Sequence, residues 1–265
     1  MSVIESIILG ILQGITEFLP VSSSGHLVIA QKMVGLDSKQ LLFSVVVHVA
    51  TLSATLVVLR KQVIQIISAA CKRPSTKTRQ ERDDTQTFYW IVITTIVTGS
   101  LGFLLKDFFQ AQFDSIEKVA TCLMVTGIIL FLPTWLNPKQ SKYSHQIGPK
   151  NAVLLGLAQT LAILPGISRS GTTIVTCLLL GLKRKDSGEM AFLISIPIIL
   201  AALLLELLDL HGQLTVPLLQ LTLGFLAAFT AGWISLHYLL RWVRNGELHY
   251  FGLYCWLAAA ILFIV

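Results

Sequence analysis

The sequence predicts an all-α polytopic membrane protein, with six transmembrane helices and two re-entrant helical hairpins in an inverted repeat. Three observations carry this reading. The 265-residue chain is 54% hydrophobic and only 13% charged, whereas soluble chains carry about a quarter charged residues. Runs free of Asp, Glu, Lys and Arg cover 41–59, 85–105, 119–138, 190–205, 212–240 and 248–265, each near the roughly 20 residues that cross ~30 Å of hydrocarbon. Finally, Gly10–His26, GILQGITEFLPVSSSGH, returns 146 residues later as Gly156–Thr172, GLAQTLAILPGISRSGT. Such an echo marks two diverged copies of one unit. The alternating strands of a membrane barrel are absent.

Taken in order, residues 2–19 are apolar and stop at Pro20, and a second short helical piece begins near Gly25 and ends about Gly35. At about 11 residues, or roughly 16 Å of helix, the second piece is too short to cross alone. Two short helices broken at PVSSSG read as a hairpin that enters and leaves on one side, tolerable where protein or a wet cavity surrounds the break. Residues 150–165 and 170–182, broken at PGISRSG, read the same way. Spans 41–59, 85–105 and 119–138 follow the first hairpin, and 190–209, 215–240 and 248–265 follow the second. Three is odd, so the second copy must be inverted relative to the first. The chain is thus one membrane domain, 1–265, with repeat one at about 1–138 and repeat two at about 148–265.

Basic residues set the orientation. With the 60–84 loop in the cytoplasm, 15 of the 20 Lys/Arg lie on that side, against Lys32, Lys39, Lys106 and Lys118 outside. This is the positive-inside bias, and it places the first hairpin's entry and both termini outside. The basic 60–84 loop reads as a solvated or lipid-contacting surface rather than a nucleic-acid site. Met1–Leu12 lacks a basic n-region, so no cleavable signal peptide is expected. Cys71, Cys122, Cys177 and Cys255 are scattered without CxxC or metal-like spacing and read as structural.

The two copies differ where chemistry would sit. Gapless superposition pairs Gln13 with Gln159, Ser22 with Ser168, Ser24 with Ser170, Gly25 with Gly171 and Gly35-Leu36 with Gly181-Leu182. Glu17, Ser23 and His26 instead oppose Ile163, Arg169 and Thr172. Gln13 and Glu17, four apart, share one helix face. A carboxylate at membrane depth costs at least ~2.5 kcal/mol, so Glu17 is either interfacial or a ligand for a cation or proton. Ser22, Ser23 and Ser24 open a helix, as do Ser168, Ser170, Thr172 and Thr173. They either cap its N–H groups or help those groups hold an anion. Arg169 needs an anionic partner, and its planar fork suits phosphate; an internal Arg169–Glu17 ion pair is the competing reading. His26 is either a satisfied core histidine or a catalytic group. His48, Thr51 and Ser53 line the cavity or bond to neighbouring helices, while Glu189, Glu206 and Asp209 default to solvated or capping roles.

At these residues the chain resembles undecaprenyl-diphosphate phosphatase, the bacterial bacitracin-resistance family of integral membrane enzymes. The signatures are Gln13–Glu17 running into Pro20–His26, and Pro165–Gly171. The resemblance covers the whole length. It implies hydrolysis of undecaprenyl diphosphate to undecaprenyl phosphate and inorganic phosphate, recycling the lipid carrier for wall synthesis. It further implies a divalent cation, Mg²⁺ or Ca²⁺, and a bacterial inner-membrane location with the site open to the periplasm or outside. By position, Glu17 and Gln13 fall in the acidic, metal-associated motif, Ser23 and His26 at the proposed nucleophile and its partner, and Arg169 at the phosphate-binding arginine. Many members carry Glu in place of Gln13, whose amide oxygen attracts a cation more weakly. Ser23 attacking with His26 or Glu17 as base, or His26 itself attacking, both fit. Membrane lipids are the other expected partners, nucleic acid is not expected, and a homo-oligomer is compatible with the pattern. A lipid flippase or ion-coupled transporter is the alternative function.

Overall fold

A computed structural model describes residues 1–33, 41–113, 115–209 and 216–264. The described residues form twelve α-helices and no strand: α1 Val3–Phe18, α2 Ser23–Met33, α3 Leu41–Val58, α4 Arg60–Cys71, α5 Arg79–Leu104, α6 Lys106–Gln110, α7 Ile116–Leu136, α8 Pro149–Leu161, α9 Arg169–Leu179, α10 Arg184–Asp209, α11 Leu218–Asn245 and α12 His249–Ile264. Four of them, α5, α7, α10 and α11, are long and apolar enough to cross a membrane, which suits a multi-pass membrane protein. At 16 residues α12 is shorter, and α3 continues into α4 through a 77° bend.

Local signals explain most boundaries. Ser2 and Glu5 form a capping box that starts α1, and Thr78 with Glu81 does the same for α5, reciprocally satisfying backbone donors. That cap starts α5 six residues before the apolar run expected from 85. The largest difference lies in 60–84, expected as a loop, where α4 occupies Arg60–Cys71. Its Ile66 and Ala69 are buried while Arg60, Lys61 and Ile64 face outward, so one face packs despite the charge at its start. The second helical piece starts at Ser23, two residues before Gly25, because Ser22 at φ 70° turns the chain two residues after the proline. Gly35, Leu36 and Lys39 lie outside the described residues.

Small residues set the packing. A Cβ on Gly10 would sit 2.5 Å from Gly224 O, and one on Gly14 would sit 2.5 Å from Ala228 O. α1 therefore lies backbone-to-backbone on α11, the close approach that small-xxx-small spacing permits. α8 meets α5 similarly: Gly156 abuts Val97, and the hydroxyls of Thr94 and Thr98 donate to Ala152 O and Gly156 O at 3.0 and 3.1 Å. The breaks α1–α2 and α8–α9 consequently meet. Gly166 N–H donates to Ser22 Oγ at 3.1 Å, and a Cβ on Gly166 (φ 97°) would strike Val119 O at 2.4 Å. Thr126 of α7 clamps the second break, donating to Gly166 O at 2.8 Å and accepting from Ser168 N at 3.0 Å. Buried Phe18, Leu123, Leu130, Ile174 and Leu236 belong to the largest apolar core, which includes residues from both hairpins.

Candidate active site

Glu17 is the hub. It lies in the last turn of α1, one helical turn after Gln13 on the same face. The Gln13 amide donates to Glu17 Oε2 at 3.0 Å, and the Ser23 hydroxyl donates to the same oxygen at 2.6 Å. Arg169 Nη2 from the first position of α9 pairs with Oε1. The Glu17 side chain is only 4% exposed against 26% for Arg169. A buried carboxylate in this position needs that charge and those donors to stay ionised.

The cluster forms the floor of a cavity of about 750 Å³. Glu17, Ser23, Ser24, Arg169 and Ser170 face it, while Phe103, Ile198, Leu203 and Leu205 make apolar wall. Both α2 and α9 begin here, so their N-terminal N–H groups and dipoles favour an anion at the floor. A charged and hydroxyl-bearing cluster within a largely apolar cavity suits an amphiphilic anion.

The other expected phosphate ligands divide. Ser22, a buried residue, lines the cavity as Ser168 does, and its Oγ accepts from Gly166 N and from Gly25 N at 3.4 Å, joining the two breaks. Ser168 caps α9 by accepting from Gly171 N at 3.1 Å. Ser170 lies 3.2 Å from the Ser168 hydroxyl and reaches the cavity. The Thr173 hydroxyl donates to its own helix, to Arg169 O at 2.7 Å, and Thr173 borders a small void beside Glu17 and Arg169 rather than the large cavity. His26 does not join the cluster. Its Nδ1 lies 2.8 Å from Ser22 O and its Nε2 2.7 Å from the Tyr254 hydroxyl, away from the cavity.

Of the other polar residues within the helices, His48 and Thr51 answer to the cavity reading and Ser53 to the helix-bonding one. His48 lines the cavity with Nδ1 2.8 Å from Ser44 O, and half-buried Glu206 lines it rather than standing in solvent. Thr51 and Thr55 border a small void beside Glu17 and Arg169, whereas Ser53 bonds back to Val49 O. Gln159 also faces the cavity, donating to Thr98 Oγ1 at 3.2 Å; its pairing with Gln13 in the repeat is the one clue to it. Tyr254 sits in an apolar run with no polar neighbour to mark it.

A divalent cation asks for oxygen donors. Among the described residues no group of three His, Cys, Asp or Glu is placed to hold a metal. Gln13 Oε1, however, is buried without a hydrogen-bond partner beside the Glu17 carboxylate. One carboxylate, one orphaned amide oxygen and nearby hydroxyls fit a hard cation that completes its shell with water and phosphate oxygens.

The profile of bacitracin resistance protein BacA matches residues 6–261, a stretch that contains both breaks and every residue of the cluster. The chain belongs to the BacA family. Relatives named undecaprenyl-diphosphatase align end to end. That of Bacteroides thetaiotaomicron is 40% identical over 100% of this chain and 99% of its own. Those of Treponema denticola and Parabacteroides distasonis are 38% and 39% identical, over 96% and 98% of this chain and 94% and 97% of theirs. BacA membership thus extends over α1–α12 and not over the motifs alone.

Proposed function

We infer that the protein is an undecaprenyl-diphosphatase, which removes the terminal phosphate of undecaprenyl diphosphate to give undecaprenyl phosphate and inorganic phosphate. The observation that carries this is the Ser23–Glu17–Arg169 linkage at the floor of a largely apolar cavity. A hydroxyl, a base and a guanidinium from two separate hairpins meet where a diphosphate headgroup would rest. Phosphoryl transfer chiefly asks for positioning and charge neutralisation.

Arg169 has five N–H donors, and its partial exposure to the cavity lets it take phosphate oxygens. Glu17 accepts the Ser23 proton as Ser23 Oγ attacks the terminal phosphorus. The bond to the bridging oxygen breaks, and undecaprenyl phosphate leaves. Glu17 passes that proton to the departing undecaprenyl phosphate, then takes one from the water that attacks the phosphoserine and returns it to Ser23 Oγ as inorganic phosphate is released. Glu17 serves as base in this scheme because it already accepts the Ser23 hydroxyl, whereas both nitrogens of His26 are engaged elsewhere. Glu17 and Gln13 Oε1 would hold Mg²⁺ or Ca²⁺, whose charge offsets that of the diphosphate when bound. Ser24, Ser170 and the N-termini of α2 and α9 complete the phosphate cradle, and membrane lipid borders the isoprenoid tail.

The topology belongs to the same proposal. The hairpins are re-entrant, the six spans are α3, α5, α7, α10, α11 and α12, and two inverted repeats of about 1–138 and 148–265 make one domain. The reciprocal packing of α1 on α11 and α8 on α5 supports it. The distribution of basic residues supports a cavity facing the periplasm or outside in the bacterial inner membrane. The flippase or transporter reading is not favoured, since full-length relatives carry a hydrolase name. Purified protein in detergent, where no gradient exists, is expected to release phosphate from undecaprenyl diphosphate, and Ser23→Ala to abolish release. No release by the parent protein, or a trapped phosphoenzyme labelled on His26 alone, would overturn the reading.

A further inference from the structure

Tyr254 lies on α12, 228 residues from the histidine it touches. Its ring stacks on His26 with centroids 5.8 Å apart and planes 15° from parallel. The hydrogen-bond chemistry is determined at one end. Ser22 O can only accept, so the Nδ1 that lies 2.8 Å away carries the proton. Nε2 of the neutral ring is then an acceptor, and the Tyr254 hydroxyl donates to it at 2.7 Å. The Ser22 carbonyl so held belongs to a residue at φ 70°, an uncommon conformation for serine. Its hydroxyl receives the N–H of Gly166 from the other hairpin. The next residue is Ser23. On the far side, Cys255 Sγ approaches Pro20 O at 3.8 Å, so α12 grips the turn at both ends.

We propose that Tyr254 is a positioning residue for the reaction: through His26 it holds the Ser22 backbone in its left-handed conformation and thereby aims Ser23 Oγ at the cavity. Tyr254 lines a separate cavity of about 450 Å³, not the one that Glu17 and Ser23 face, so it does not meet the reacting atoms. His26 in this scheme orients the turn and takes no proton from Ser23. The proposal rests on Ser23 being the nucleophile.

The test is a double-mutant cycle on hydrolysis of undecaprenyl diphosphate by the full-length enzyme in detergent. Tyr254→Phe keeps the stacked ring and removes the donor. It is expected to lower kcat on the order of ten-fold or more while KM stays within about two-fold, as for a misaimed nucleophile. In a His26→Ala background the same change is expected to add nothing, since the two act as one unit. His26→Asn can place an amide N–H where Nδ1–H was, and is expected to retain more kcat than His26→Ala. Effects that multiply, a Tyr254→Phe enzyme at parental kcat, or His26→Asn as inactive as His26→Ala would each overturn the proposal. One measurement needs no folded Tyr254 variant: ¹⁵N-histidine spectra of the parent should show the Nδ1–H tautomer at His26, and an Nε2–H tautomer would refute it. Hydrolysis by the parent and its loss in Ser23→Ala report on the underlying reaction separately, so the two failures are distinguishable.

Discussion

Both carboxylate oxygens of Glu17 are engaged, one by Arg169 and one by Ser23 and Gln13, so substitutions there separate stability from chemistry. Arg169→Ala strands a buried carboxylate, a change that costs roughly 3–5 kcal/mol in fully buried pairs; the partial exposure of Arg169 puts the expected loss at the low end. Glu17→Gln leaves an amide that still accepts from Ser23, so its melting temperature in detergent should fall less. Its kcat, deprived of a base, should fall by about 10²-fold or more. Equal destabilisation by the two variants would mean that the pair is not the hub described. Gln13→Glu places a second carboxylate beside the first, and should lower the Mg²⁺ concentration giving half-maximal activity in a cation titration. Glu17 and Arg169 are legible in the sequence because charge at membrane depth needs a reason, and the repeat points each at the other. Tyr254 is not legible. Its partner is far off in the chain, and only the folded α12 brings them together.

At the scale of elements, helix contacts depend on missing side chains. The backbone of α11 occupies the space that a Cβ on Gly14 would need, so Gly14→Ala should destabilise the protein by about 1–3 kcal/mol, in the range of overpacking. Gly99 is the control: a Cβ there finds nothing nearer than Ile198 Cδ1 at 3.8 Å. Gly99→Ala should hold or slightly raise the melting temperature, since alanine favours helix. Apolar runs announced most helices, with boundaries shifted where a polar cap starts the helix early, as Thr78 does for α5. α4 escaped the reading of 60–84 as a loop because Arg60 and Lys61 mask a short amphipathic face whose burial depends on a neighbour. Ser168→Ala removes the α9 cap and should cost about 1 kcal/mol, readable as a modest shift in melting.

Over the whole molecule, orientation is checkable with a native probe. Cys71, at the end of α4, is exposed, while Cys177 and Cys255 are buried. A membrane-impermeant maleimide should therefore label Cys71 in inside-out vesicles and leave it unlabelled in intact cells; labelling from outside would reverse the proposed topology. The count of six spans came from apolar length alone. Among the described helices four are long enough to cross on their own, while α12 is shorter and α3 bends into α4. The packing of α1 on α11 also governs how the protein can be made. From Phe18 to Leu218 the ribosome must add 200 residues, about 10–40 s of synthesis at bacterial-range rates. Throughout that interval the first hairpin has no surface to rest Gly10 and Gly14 on, and until Arg169 is added its carboxylate lacks the guanidinium that pairs with it. A nascent chain halted before Leu218 therefore lacks the helix on which its first hairpin packs, and is expected to be degraded faster than the full chain in a pulse-chase.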